Sequence, residues 1–380
     1  MTKNVLILTS DAGFGHRRAA EAVEGALRNT FPDDCTVKIM NPLHNPGLPD
    51  LVKSIETGYD DMVVDDPTFY QIAYSATDAP VVAQLMQRIT TRVLNDTLSE
   101  WMALYRPDVV VTTYPAFTQA AIRAAETADH AVPVDVVVTD LIGVHSLWLH
   151  QGATTTFVPT GNVYRQALDA GLQKDRVQLT GLPVNPAIAR DSRSKTEIRQ
   201  ALGWDADRIT CIVVGSARTR QTAGIAQLLD RSGLDLQVVA ISGGDERIDE
   251  NLRSTDWQGR VHTYGFVSNM PEMMKAADFI ICKAGGLIVS ESLACGLPLI
   301  LYEALPGQEV GNVKYVTEAG AGDWSPGPIG ALTTCYAWFA GDGEVLKKRR
   351  AAARKIGKPR AAYDIAEWVM RQADGSMDHQ

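Results

Sequence analysis

Two stretches of this chain carry more chemistry than packing asks for. The first is "TSDAGFGHRRAAEA", Thr9 to Ala22. It leaves a run of apolar β-formers, "NVLIL", and enters a helical pattern through Gly13 and Gly15, with His16 at the mouth of the helix. Glycines there let the backbone turn sharply and clear space for a ligand. The exposed N–H groups and the positive end of the helix dipole favour an anion or an electron-rich oxygen. Imidazole titrates near neutral pH and is the usual general base for a hydroxyl, so His16 is the candidate base. The competing reading is a capping histidine with no chemistry. The spacing is not GxGxxG, and no ribose-binding acid follows the next strand, "TVKIM"; both argue against a nicotinamide cofactor.

The second stretch runs from Cys282 to Asn312, "CKAGGLIVSESLACGLPLILYEALPGQEVGN". A buried strand ends at Lys283, and Gly285 and Gly286 open a helix, which makes a phosphate-sized turn. Ser290 and Glu291 lie one turn in, where a carboxylate can accept two hydrogen bonds from vicinal ribose hydroxyls. "GLPLIL" makes another strand, and Gln308, Glu309 and Asn312 leave it at the carboxyl end, where ligands sit in open α/β sheets. Alone these read as a polar surface loop; behind a Gly-Gly helix start they look like the sugar end of a nucleotide-sugar pocket.

The elements that must position these groups follow from short apolar runs alternating with helical patterns. "NVLILT", "TVKIM", "DVVVTT", "VDVVVTD", "TTTFVP" and "RVQLTG" come before a break at Gly181 to Glu197; "ITCIVVGS", "LQVVAI", "RVHTYG", "DFIICKA" and "LPLILYE" come after it. Many are apolar on both parities, as parallel strands covered on both faces should be. The expected fold class is therefore α/β, with two doubly wound domains built from βαβ units. A length of 380 residues favours two domains. We expect residues 1–186 and 187–358 to form them, with 359–380 a C-terminal helix packing back on the first. Five cysteines without CxxC spacing suit a reducing compartment, and Cys35, Cys211 and Cys282 read as core. A net charge of −9 excludes a general nucleic-acid binder. No window approaches the ~18 to 20 apolar residues of a membrane span, and no signal-peptide cleavage pattern is present, so the expected location is cytoplasmic.

From Gly265, "GFVSNMPEMMKAADFIICKAGGLIVSESLACGLPLILYEALPGQEVGN" resembles the donor-binding half of the monogalactosyldiacylglycerol synthases and related processive diacylglycerol glucosyltransferases. The lipid II-forming N-acetylglucosaminyltransferase is a more distant relative. "SDAGFGHRRAAEAV", "TDLIGVHSLWLH", "TGLPVNP" and the tyrosine-rich "YDDMVVDDPTFYQIAY" are similar in order and spacing. The resemblance implies the GT-B fold: two Rossmann-like domains with an interdomain cleft. It also implies a UDP-sugar donor, inversion at the anomeric carbon and no obligatory metal or other cofactor. It places Phe266 and Val267 on the uracil, Glu291 on the ribose, Gly285 and Gly286 on the diphosphate, Gln308 and Glu309 on sugar hydroxyls, and His16 on the acceptor hydroxyl. After "ITCIVVG" the family's Gly-rich loop is replaced by "GSARTRQ", which offers Ser216 and Arg218 to the diphosphate; exposed arginines are the alternative. Asn185 stands where relatives often have arginine.

On this resemblance the partners are a UDP-sugar, a diacylglycerol-type lipid and the inner face of the membrane, met peripherally. Asp140 ends a buried strand and either orients a catalytic group, binds acceptor, or caps the next loop. His145 joins the acceptor candidates, with Tyr59, Tyr70 and Tyr74 of the tyrosine-rich insert. Trp148 reads as core. Val82, Leu85, Met86, Ile89 and Val93 share one helical face, which is either core or a lipid-facing surface. "KKRRAAARKIGKPR", with eight basic residues in fourteen, is either a solvated helix end or a patch for anionic headgroups. A UDP-sugar 2-epimerase and a non-catalytic UDP-sugar-binding module are the rival functions, and fold alone does not separate them.

Overall fold

A computed structural model describes residues 2–11, 15–48, 80–216, 219, 221–305 and 308–375. The chain divides into two units, Met1–Pro186 with Arg360–Gln380, and Ala187–Pro359. Gly13, Tyr59, Tyr70, Tyr74 and Arg218 lie outside the described residues.

The first unit holds six parallel strands in the order β2-β1-β3-β4-β5-β6. They are β1 (Lys3–Leu8), β2 (Cys35–Met40), β3 (Val109–Thr112), β4 (Val134–Val137), β5 (Thr155–Val158) and β6 (Val177–Leu179). Helices α1 (Gly15–Thr30), α2 (Pro80–Tyr105), α3 (Thr118–Glu126) and α4 (Gly161–Asp169) connect them. Alternate residues of β1 enter opposite cores, as the two-residue period of a strand requires. Leu6 and Leu8 pack with Leu94, Leu98, Trp101 and Phe117. Val5 and Ile7 pack with Ala20, Val23 and Leu27 of α1, and with Ile365 and Val369 of the last helix, Ala361–Ala373. Alanines on α1 let that last helix approach closely.

The second unit repeats the design with the order β12-β11-β10-β7-β8-β9. Its strands are β7 (Ile209–Val214), β8 (Leu236–Ile241), β9 (Arg260–Tyr264), β10 (Phe279–Lys283), β11 (Leu299–Glu303) and β12 (Gly322–Trp324). Helix α5 (Ala187–Arg190) is one turn; α6 (Lys195–Leu202) opens on a capping box between Ser194 and Glu197 and stops at left-handed Gly203. Then come α7 (Thr222–Asp230), α8 (Glu246–Ser254), α9 (Met270–Ala276), α10 (Gly286–Ala294), α11 (Gln308–Glu318), α12 (Gly327–Phe339) and α13 (Glu344–Ile356); Ala361–Ala373 is α14. Asp278, at the start of β10, accepts from Arg199, Lys195, Arg350 and the Thr210 N–H, so one mostly buried carboxylate ties α6 and α13 to the sheet.

Both strand orders reverse at one place, between β1 and β3 in the first unit and between β7 and β10 in the second. Loops leaving such a pair diverge to opposite faces and open a crevice at the carboxyl ends. The glycine turns of both sequence stretches leave strands at these two places.

One sequence expectation changes and two open ones gain detail; the side chains of Val82 and Met86 lie outside those described. Cys35 is half-buried rather than core; Cys211 and Cys282 are buried. The basic stretch on α13 is substantially paired: Lys347 with Glu344, Arg349 with Asp323, Arg350 with Asp278, and Arg360 beyond it with Glu367. On α2, Leu85 and Ile89 are more than half exposed, whereas Val93 packs against the core. Among the described residues no helix is long and apolar enough to cross a membrane.

Candidate functional site

His16 is the second residue of α1. Its Nδ1 lies 2.9 Å from the Thr113 carbonyl oxygen, just past β3, and 2.9 Å from Thr139 Oγ1, just past β4. With the Nδ1 proton donated to that carbonyl, Nε2 keeps its lone pair for an incoming proton. Tyr114 meets the imidazole edge-on at 5.0 Å, and Trp148 packs against it at 6.0 Å. The residue is half-buried. Burial lowers its pKa from 6.5 to about 4, with the Thr113 carbonyl pulling back upward. This departs from the near-neutral titration expected of it: the ring is neutral throughout the physiological range and is a weaker base than a free imidazole.

The supporting groups are specific. Thr113 Oγ1 bonds Thr9 Oγ1 at 2.8 Å and the His16 carbonyl at 3.0 Å, lacing the ends of β1 and β3 to the start of α1. Arg17 donates twice to Asp11, at 2.6 and 3.0 Å, and so joins the two ends of the glycine turn. Asp140 Oδ2 accepts from the Trp148 indole at 2.7 Å. Burial raises that carboxyl to about 6, partly offset by the indole. Asp140 therefore orients Trp148, which is core as expected and also backs the imidazole. His145 is 6% exposed, and its Nδ1 accepts from the Leu147 N–H at 3.2 Å, capping the short turn that carries Trp148.

In the second unit, Gly285 is the N-cap of α10, and no side chain caps it. Among the described residues, then, no side chain occupies the first amides of this nine-residue helix. A Cβ at Gly285 would lie 3.8 Å from Glu309 Oε1 and 4.0 Å from Lys283 Cε. Glu309 pairs with Lys283 and accepts from the Leu305 N–H at 2.7 Å. Asn312, buried, donates to the Ala284 carbonyl at 2.8 Å and so fastens the turn itself. Ser290 Oγ bonds the Gly286 carbonyl within its own helix. Glu309, Asn312 and Ser290 thus have protein partners that the sequence does not announce. Glu291 is half-buried on α10, and Gln308 is the first residue of α11.

Across the switch, Ser216 follows β7, its N–H donating to Thr219 Oγ1 at 2.9 Å. Gly243, at φ +68°, is stacked on this turn: a Cβ there would overlap the Gly215 carbonyl oxygen. Past β9, Phe266 is 70% exposed beside Gly244, and Val267 is half-exposed. Sequence reasoning missed Asp11, Thr113, Thr139 and the Lys283–Glu309 pair. Threonines at strand carboxyl ends were the available signal for the first unit; a lysine ending an otherwise apolar strand was the signal for the second.

The family model described as monogalactosyldiacylglycerol (MGDG) synthase matches residues 16–184, and that of the glycosyltransferase family 28 C-terminal domain matches residues 209–323. A probable chloroplastic monogalactosyldiacylglycerol synthase of Glycine max is 31% identical over 373 residues, covering 96% of this chain and 70% of the relative. Among solved structures, MurG of Acinetobacter baumannii aligns with a TM-score of 0.61 at 16% identity, over 97% of this chain and 99% of that one. The UDP-GlcNAc 2-epimerase of Neisseria meningitidis, bound to UDP-GlcNAc, aligns with a TM-score of 0.60 at 15% identity, over 97% and 100%. Those two likenesses are to the fold alone. Identity sustained over nearly the whole sequence settles the family: the chain belongs to the monogalactosyldiacylglycerol synthases, UDP-sugar-dependent glycosyltransferases of GT-B fold.

Proposed function

We propose that this chain transfers a hexose from a UDP-sugar to the hydroxyl of diacylglycerol, with inversion and without a metal. The supporting observation is that each unit has, at its own switch point, one half of what such a transfer needs. The first has a neutral imidazole whose tautomer is set by a backbone carbonyl. The second has an uncapped helix start beside a paired lysine and glutamate. The relatives' names favour galactose over glucose as the sugar.

In the transfer, the lipid hydroxyl oxygen attacks the anomeric carbon, and the bond from that carbon to the UDP oxygen breaks on the opposite side. The hydroxyl proton passes to His16 Nε2, a contribution of roughly 10²- to 10⁴-fold. Charge gathering on the diphosphate is met by the amides at Gly285–Gly286, fixed dipoles that need no reorganisation. Glu291 holds the ribose, and Phe266 and Val267 offer backbone groups to the uracil. Ser216 stands at the neighbouring turn. Exposed Leu85 and Ile89 on α2 support a peripheral approach to a lipid surface.

The test is incubation with radiolabelled UDP-galactose and UDP-glucose against diacylglycerol in mixed micelles, followed by lipid extraction. Label in the organic phase supports the assignment and names the sugar. Free N-acetylmannosamine released from UDP-N-acetylglucosamine without lipid would support the epimerase reading instead. UDP binding with no turnover would support a binding module.

A further inference from the structure

The sheet is irregular beside Lys283, where β10 meets β11. Ile280, Ile281 and Cys282 of β10 face Leu299, Ile300 and Leu301 of β11, but Lys283 faces Glu303. Tyr302 is the extra residue, buried with its hydroxyl 3.4 Å from Thr222 Oγ1. Such a bulge bends the strand and re-aims the side chains beside it, and bulges gather next to active sites. Here Lys283 ends beside the Gly285 turn, its ammonium on Glu309 Oε1.

The two side chains are 14% and 11% exposed. A polar group buried to that degree needs hydrogen-bond partners, and Glu309 has one on each oxygen: Lys283 on Oε1 and the Leu305 N–H on Oε2. Each oxygen accepts one hydrogen bond here and retains a second lone pair. Gly285 has no side chain to stand between this carboxylate and the open start of α10.

We infer that Lys283 is a positioning residue for sugar recognition: it holds the Glu309 carboxylate in one orientation, so that its remaining lone pairs read the hydroxyls of the donor hexose. This rests on the donor assignment above. It differs from a phosphate-ligand role for Lys283, which would act on the nucleotide regardless of the sugar. It also differs from a purely structural ion pair, which would act on stability alone.

The experiment uses the full chain as wild type, Lys283→Met, Lys283→Arg and the double variant Lys283→Met/Glu309→Gln. Each is titrated calorimetrically with UDP, UDP-galactose and UDP-glucose, and kcat and KM are measured for both sugars. Lys283→Met is expected to weaken UDP-sugar binding about 10- to 100-fold, the loss of a hydrogen bond to a charged group. UDP affinity should not change, KM should rise more than kcat falls, and the discrimination between the two hexoses should narrow. Lys283→Arg should restore most of the loss. The double variant leaves no buried charge unpaired, so it should melt like wild type yet still discriminate poorly. An equal loss of UDP and UDP-sugar affinity would make Lys283 a phosphate ligand and overturn the inference. Unchanged discrimination in a folded double variant would overturn it as well. A wild-type chain that binds no UDP would instead sink the donor assignment itself.

Discussion

Changing the pH perturbs His16 without altering a single atom of the fold. Burial takes its pKa from 6.5 to about 4. That gap of about 2.5 units corresponds to about 3 kcal/mol of preference for the neutral ring in the folded state. Because the folded value is the lower one, the unfolded chain takes up the proton first as pH falls. Stability associated with His16 is therefore intact above about 6.5 and lost as pH falls through about 4. For turnover, the same shift keeps the base form populated well below neutrality. The acid limb of kcat/KM, which reports the free enzyme, should lie near 4 instead of 6.5. Asp140 titrates near 6 and is separated by its own variant: a limb near 6 that vanishes in Asp140→Asn belongs to that carboxyl. The assay is initial-rate transfer from UDP-galactose across about pH 3 to 8 in wild type and Asp140→Asn. His16→Ala should lose roughly 10²- to 10⁴-fold at every pH. A limb near 6.5 that survives Asp140→Asn would put the imidazole in water-like surroundings and refute the burial argument. Near-normal turnover in His16→Ala would remove the ring from the reaction.

Asp135, fully buried on β4, has its carboxyl raised by burial to about 8, with Gln372 and Thr155 drawing it back only in part. The folded state thus holds a proton that the unfolded chain releases above about 4, so this group's contribution to stability falls as pH rises from there to about 8. Asp135→Asn should remove about 4 kcal/mol of that cost at pH 7 and less at pH 5; an equal gain in melting temperature at both would contradict it. Gly243→Ala forces a left-handed residue, about 1–2 kcal/mol, and drives its Cβ into the Gly215 carbonyl, so UDP affinity should drop. Gly233→Ala, also left-handed (φ +74°) but with open space around it, is the control and should leave UDP affinity alone.

Sequence pattern carried the two wound sheets because their strands are apolar on both parities, and a parallel strand covered on both faces can scarcely read otherwise. β12 escaped because three residues, "GDW", hold no period. The switch points were invisible, since strand order is a matter of pairing between segments up to a hundred residues apart, as with Val5 and Val109. In the candidate site, the Gly285–Gly286 helix start and the place of His16 at the mouth of α1 are local signals and were legible. The electrostatics were not. His16 is depressed by burial among groups far along the chain, with the Thr113 carbonyl opposing the shift, and Glu309 is claimed by Lys283, the last residue of β10, beside a register shift against β11. The capping bond of His145 was hidden too: its Nδ1 accepts from a backbone N–H two residues on, in a turn that no composition rule announces.

The division of labour between the two units is tested most directly by calorimetric titration of UDP into His16→Ala and Glu291→Ala of the full chain. His16→Ala should bind UDP as wild type does, and Glu291→Ala should bind it more weakly by the loss of the ribose contact, about 10-fold or more. Wild-type affinity in Glu291→Ala, or lost affinity in a folded His16→Ala, would contradict a nucleotide held by the second unit with its base on the first.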